Sequence, residues 1–163
     1  MIRGAEYYIR QLTRDDAERH RAFVARLSPA SRYQRFMSTM REPTPALLGR
    51  LMDVDGHRAA AYVAARGHGA SEIIIGVARY CADASGADCE FAVAVADEWQ
   101  GRGIGTALME NLFAHAQRAG FVSIYGNILA GNDTMIELAR HLGLTIEPQR
   151  SGEHTVRASR RLN

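Results

Sequence analysis

Hydrophobic and polar positions along the 163-residue chain change period several times, and each change marks an element. "YYIRQL" (residues 7–12) alternates like a half-buried strand and stops at Thr13, an N-cap for the helical "RDDAERHRAFVARL" with acids in its first turn. Ser28 and Pro29 supply the cap and the first-position proline of a second helix carrying Tyr33, Phe36 and Met37. "PTPALLGRLMD" predicts a third, short helix. Strands follow in "HRAAAYVAA" from His57 and "EIIIGVARYCA" from Glu72, joined by the turn "RGHGAS"; the second is continuously apolar, which predicts a central place in a sheet. "DASGAD" turns the chain into the strand "CEFAVAV" (residues 89–95). A glycine loop then opens an amphipathic helix from Thr106, with Ala107, Leu108, Leu112, Phe113 and Ala116 on one face and Gly120 as its stop. "FVSIYGNI" is a further strand, and "NDTMIELARHLG" a helix entered at Asn132 and Asp133 and stopped at Gly143. "LTIEPQ" and "HTVRAS" are closing strands, and the basic end "RASRRLN" is expected to be a solvated tail. The order predicts a mixed α/β sheet within one domain, 1–163, with no internal repeat and no dividing linker.

Composition narrows the classes. A net charge of +2, without a concentrated basic patch, argues against a nucleic-acid binder. All 20 strongly basic side chains are arginine, so this chain carries no acyl group on a lysine of its own. Cys81 and Cys89 fit neither a disulfide framework nor a zinc site and read as plain strand residues in a reducing compartment. The histidines show no metal-binding spacing, and the apolar runs are too short to span a bilayer, so a cytoplasmic protein without metal or membrane partner is expected.

The chemistry concentrates in "QGRGIG", Gln100, Gly101, Arg102, Gly103, Ile104 and Gly105. Glycine is costly at a helix entrance unless the backbone needs positive φ or something must approach closer than a Cβ allows. The first N–H groups of the helix lack intrahelical acceptors and sit at the positive end of its dipole, which suits a phosphate ester. A nucleoside-triphosphate loop needs G-x-x-x-x-G-K-[ST], and the chain has no lysine to complete it. A dinucleotide fingerprint would put Thr106 or Leu108 where its last glycine belongs, and the loop comes late in the chain.

The run matches Q/R-x-x-G-x-G/A and resembles the coenzyme A pyrophosphate loop of the GNAT acyltransferase superfamily; "NDTMIELARHLGL" is similar to that family's N-x-x-A/M…LGF segment. More narrowly, "LSPASRYQRF", "HRAAAYVAA", "IIGVARY" and "EFAVAVADEWQGRGIGTALME" resemble the acyltransferase domain of bacterial protein lysine acetyltransferases. The resemblance implies the GNAT fold: a mixed, mostly antiparallel sheet of about six or seven strands flanked by about four or five helices. It also implies an acetyl-CoA-dependent N-acetyltransferase acting on a protein lysine, as monomer or homodimer. A small-molecule amine acetyltransferase and a non-catalytic acyl-CoA-binding module remain open.

What the family implies can be placed residue by residue. Pantetheine would pair with the strand backbone at Phe91, Ala92, Val93 and Val95, as an added strand would. The backbone from Gln100 to Thr106 would hold the pyrophosphate, with Arg102 adding charge, and Asn132 would hold the pantetheine or sulfur end. Alternation puts Glu90, Ala92 and Ala94 on one face and Phe91, Val93 and Val95 on the other. Glu90 is the candidate base, expected in an apolar crevice that raises its proton affinity. Arg32, Tyr33 and Arg35, beside Ser31, are the expected acceptor-binding residues. Ala139 stands where relatives often carry a thiol-protonating tyrosine, so no general acid is named. Asp97 and Glu98 read as turn residues and Trp99 as a packing anchor.

Overall fold

A computed structural model describes residues 6–36, 43–148 and 154–162; Met37, expected on the second helix, lies outside them. The elements are β1 (Tyr8–Gln11), α1 (Ala17–Arg26), α2 (Pro29–Phe36), α3 (Pro45–Met52), β2 (Ala59–Arg66), β3 (Ile73–Ala82), β4 (Asp88–Val95), α4 (Ile104–Arg118), β5 (Ser123–Leu129), α5 (Asp133–His141), β6 (Thr145–Pro148) and β7 (Thr155–Arg161). The seven strands form one sheet in the order β1-β2-β3-β4-β5-β7-β6. Every pairing is antiparallel except β4 with β5, the pair that α4 connects. The fold is a mixed, mostly antiparallel seven-stranded sheet flanked by helices, as the resemblance implies.

Period-two alternation sorts side chains onto two faces. The row Tyr62–Ala78–Val93 faces α4, where the Tyr62 hydroxyl lies 3.0 Å from His115 Nδ1. Leu108, Met109, Leu112 and Ala116 of α4 are fully buried against this face. The row Ala61–Arg79–Ala92 faces the N-terminal helices, and Arg79 donates through Nη1 to the Leu51 carbonyl of α3 at 2.6 Å. Strands β2 and β3 are therefore covered on both sides, which is why their sequences read as continuous apolar runs.

Three expectations shift. The helix after Thr13 opens with a 3-10 turn (Arg14–Asp16), because the buried Asp16 carboxylate reaches back to the Thr13 N–H at 2.8 Å. Helix α4 begins at Ile104 rather than Thr106, because Gly103 adopts φ +83° and caps it. The basic end is not a solvated tail. Strand β7 continues to Arg161, Arg160 donates to the Leu142 carbonyl at 2.9 Å, and Leu162 is buried. Strand β7 pairs on both edges, with β5 and β6, and Ala158 is fully buried on the face it shares with Val156 and Arg160.

Candidate acetyl-transfer site

Strands β4 and β5 pair only over three rows, Asp88↔Ser123, Cys89↔Ile124 and Glu90↔Tyr125. Beyond Glu90 they part. β4 stays paired to β3 as far as Val95, and β5 stays paired to β7 as far as Leu129, so a wedge opens between them. The wedge belongs to an open cleft of about 600 Å³ whose lining includes Phe91, Ala92, Val93, Ala94 and Val95 on one wall. Asn127 and Ile128 of β5, with Asn132, Met135 and Leu138 at the start and middle of α5, form the facing wall.

At the wide end stands the start of α4. The first intrahelical bond runs from the Ala107 N–H to the Gly103 carbonyl at 3.1 Å, so the N–H groups of Ile104, Gly105 and Thr106 have no acceptor within the helix. No acid lies in this first turn to compete for them. The glycines serve two purposes. Gly101 and Gly103 take φ of +76° and +83°, with nothing within 4 Å of where a Cβ would stand, so the loop is open to a ligand. At Gly105 a Cβ would come within 3.0 Å of Leu138 Cδ2, so this glycine brings the turn up against α5. The residues present thus fit a diphosphate at the helix start and an extended arm along β4.

The loop is braced from below. Trp99 is 8% exposed, and two guanidinium groups stack on its ring, Arg66 at 4.8 Å and Arg102 at 4.5 Å from the ring centre. Gln100 donates through Nε2 to the Val95 carbonyl at 3.0 Å, tying the loop to the end of β4. Asp97, expected to be a turn residue, accepts from the Ser28 N–H, the Ser28 hydroxyl and the Ser31 hydroxyl at 3.0, 2.8 and 2.9 Å. Burial pushes its carboxyl pKa up, but these donors outweigh that and leave it lowered. Through Asp97 the start of α2 is fastened to the loop.

The arginines and tyrosine of α2 separate. Arg35 lines the cleft beside Ser31 and Gln34, half-buried, and no carboxylate forms an ion pair with it among the described residues. Burial pulls its pKa down to about 10, with the charge of Arg79 adding to the fall and that of Glu90 opposing it. Arg32 turns the other way: its guanidinium donates to the carbonyls of Ala25 and Leu27, capping the end of α1. Tyr33 is exposed and outside the cleft lining.

Glu90 sits at the last paired row, where the wedge begins. It is exposed rather than enclosed in an apolar crevice. The alternation that places Phe91 inward turns Glu90 outward, and Asn127 Nδ2 donates to its Oε2 at 3.2 Å. Sequence reasoning missed Asn127; its only signal was a polar side chain two residues after Tyr125, the β5 partner of Glu90. Asn132 accepts from the Met135 N–H at 3.2 Å as the N-cap of α5 and lines the cleft. Ala139 is fully buried, and the described lining contains no tyrosine, histidine or cysteine. Cys81 and Cys89 are free thiols on β3 and β4, and burial pushes the Cys89 pKa up to about 12. No group of metal-ligating side chains and no helix long and apolar enough to cross a membrane occurs among the described residues.

Comparison with known proteins agrees with this geometry. The model of the acetyltransferase (GNAT) family matches residues 21–144. The chain is 40% identical to acetyltransferase PA5475 of Pseudomonas aeruginosa over 140 residues, 86% of this chain and 75% of that protein. It is 34% identical to acetyltransferase Pat of Mycolicibacterium smegmatis over 141 residues, 86% of this chain but only 41% of the relative's length. Among solved structures, the GNAT domain of S. lividans PAT superposes with a TM-score of 0.83 at 28% identity, covering 94% of this chain and 89% of that one. The chain belongs to the GNAT family and is an N-acetyltransferase that draws its acetyl group from acetyl-CoA.

Proposed function

We propose that the acceptor is a lysine of a folded protein. The exposure of Glu90 carries this reading: a carboxylate on an open strand end can be reached by a side chain projecting from a macromolecule, whereas a small acceptor is usually enclosed by its pocket. The segments that resemble bacterial protein lysine acetyltransferases support it.

In this reading the N–H groups from Gly101 to Thr106 hold the pyrophosphate, that of Gln100 being bonded to the Asp97 carbonyl at 3.3 Å, and Arg102, already stacked on Trp99, adds charge. Along the arm lies the backbone of Val95, then Val93, then Phe91, which β4 turns towards the wedge, whereas Ala92 turns its N–H and carbonyl to Arg79 of β3; Asn132 faces the sulfur end. The lysine arrives as an ammonium and must lose a proton before it attacks. Glu90, directly or through water, takes that proton. The amine nitrogen bonds to the thioester carbonyl carbon while strand N–H groups receive the oxygen's developing charge. The nitrogen gives up its second proton to water as the carbon–sulfur bond breaks, and water protonates the thiolate, a tolerable leaving group without a tyrosine at position 139.

A small amine that also bears a carboxylate is the second reading, favoured by the half-buried guanidinium of Arg35, which has no carboxylate ion-paired to it among the described residues. Free-thiol release measured with a folded target, free lysine, glutamate and polyamines separates the two. Turnover on the folded target far above the others supports a protein acceptor, and turnover confined to the free amino acids would reject it.

A further inference from the structure

The narrow end of the wedge is closed by one ring. The first row that β4 and β5 leave unpaired holds Phe91 and Gly126, and the Phe91 ring lies directly on Gly126. A Cβ at position 126 would stand 2.6 Å from Phe91 Cζ, 2.7 Å from Cε2 and 2.9 Å from Cε1, closer than carbon atoms approach. The ring is only 5% exposed, yet it borders the cleft. Its strand neighbours on the same face, Tyr80 of β3, Cys89 of β4 and Ile124 of β5, have no exposed surface at all, so it cannot shift towards them without disturbing packed side chains. A glycine on one strand and an aromatic ring on the other therefore make a fixed end wall.

We propose that Phe91, seated on Gly126, sets the length of the acyl chain the enzyme accepts. The proposal rests on coenzyme A lying along β4 as described above. From Val95 to Phe91 the strand runs about 13 Å, at about 3.3 Å per residue, and the thioester arm enters from the Val95 end. Its acyl group then points at the ring. A two-carbon acyl group stops short of the wall, and each added methylene must displace an atom of a close-packed ring, which tight interiors resist. Shortening position 91 would leave an apolar space bordered by Gly126, Val93 and Ile128, suited to extra methylenes.

Calorimetric titration of coenzyme A, acetyl-CoA and butyryl-CoA into the wild type and Phe91→Leu tests this without knowledge of the acceptor. The wild type should bind butyryl-CoA about tenfold more weakly than acetyl-CoA, and Phe91→Leu should bring that ratio close to one. Gly126→Ala attacks the wall from its other side: it pushes the ring into the slot and should weaken acetyl-CoA relative to coenzyme A. Equal wild-type affinity for the two acyl forms, or an unchanged ratio in a folded Phe91→Leu, would overturn the proposal. Failure of coenzyme A itself to bind the wild type would instead overturn its placement along β4, and this proposal with it.

Discussion

Asn127 Nδ2 donates to Glu90 Oε2 at 3.2 Å, from the strand on one side of the wedge to the strand on the other. The bond sits where the parallel pairing ends, and on the function proposed above it orients the carboxylate that takes the amine's proton. Glu90→Gln should lower kcat by about a hundredfold or more, the range for a lost general base, while acetyl-CoA still stabilises the protein in a melting assay. Asn127→Ala should cost less, about three- to tenfold in kcat, because it frees the carboxylate without removing it. Steady-state kinetics on both variants measures the difference.

Arg32 and Arg35 are three residues apart and should fail differently. Arg32→Ala removes the donors to the Ala25 and Leu27 carbonyls, so it should lower stability by about 1–2 kcal/mol with acceptor KM unchanged. Arg35→Ala should raise acceptor KM severalfold with little change in melting temperature. Denaturant melts and acceptor titrations on the pair distinguish them.

Acid should weaken the fold in two stages. Burial depresses the pKa of His20 from 6.5 to about 4, and neither ring nitrogen has a hydrogen-bond partner among the described residues. The unfolded chain binds this proton first, so stability falls as pH drops from about 6.5 towards 4. At Asp16 burial raises the pKa, but Arg10 at 2.7 and 2.8 Å, the Thr13 N–H and Arg19 outweigh it and set the value at about 2, below the usual 3.8. Its contribution, about 2 kcal/mol, is present above pH 4 and is lost as pH falls through 2. Urea melts at stepped pH should show both losses, and His20→Leu should remove the upper one.

Gly103→Ala forces a Cβ onto a residue at φ +83° and should disturb the cap that starts α4. Gly105→Ala puts one 3.0 Å from Leu138 Cδ2 and should push the first turn off α5. Both variants should fold with modest loss and show a reduced thermal shift with acetyl-CoA. An undiminished shift would show that this turn does not bind the diphosphate.

Much of this was legible in the chain. Helices and strands follow from their periods, and the glycine loop drew the eye as a candidate site because both reasons for a costly glycine, positive φ and close approach, occur within "GRGIG". The family resemblance supplied what spacing alone leaves open. Other features depend on partners distant in sequence. Asp97 reads as a turn acid because its serines lie 66 and 69 residues away. Helical periodicity says that Arg32 and Arg35 lie near one face, but it does not say that one meets the end of α1 and the other the cleft. The exposure of Glu90 follows from where the strands part, and a three-row pairing leaves no mark on either strand's own pattern.

The central claim is that the bared amides before and within the first turn of α4 grip a diphosphate and lay its arm along β4. Backbone amide shifts of the labelled protein titrated with coenzyme A test it most directly. The largest changes should fall on Gly101, Gly103, Ile104, Gly105 and Thr106 and continue along Ala92 to Val95, and NAD should produce none of comparable size. Changes centred elsewhere, with those amides unmoved, would contradict it.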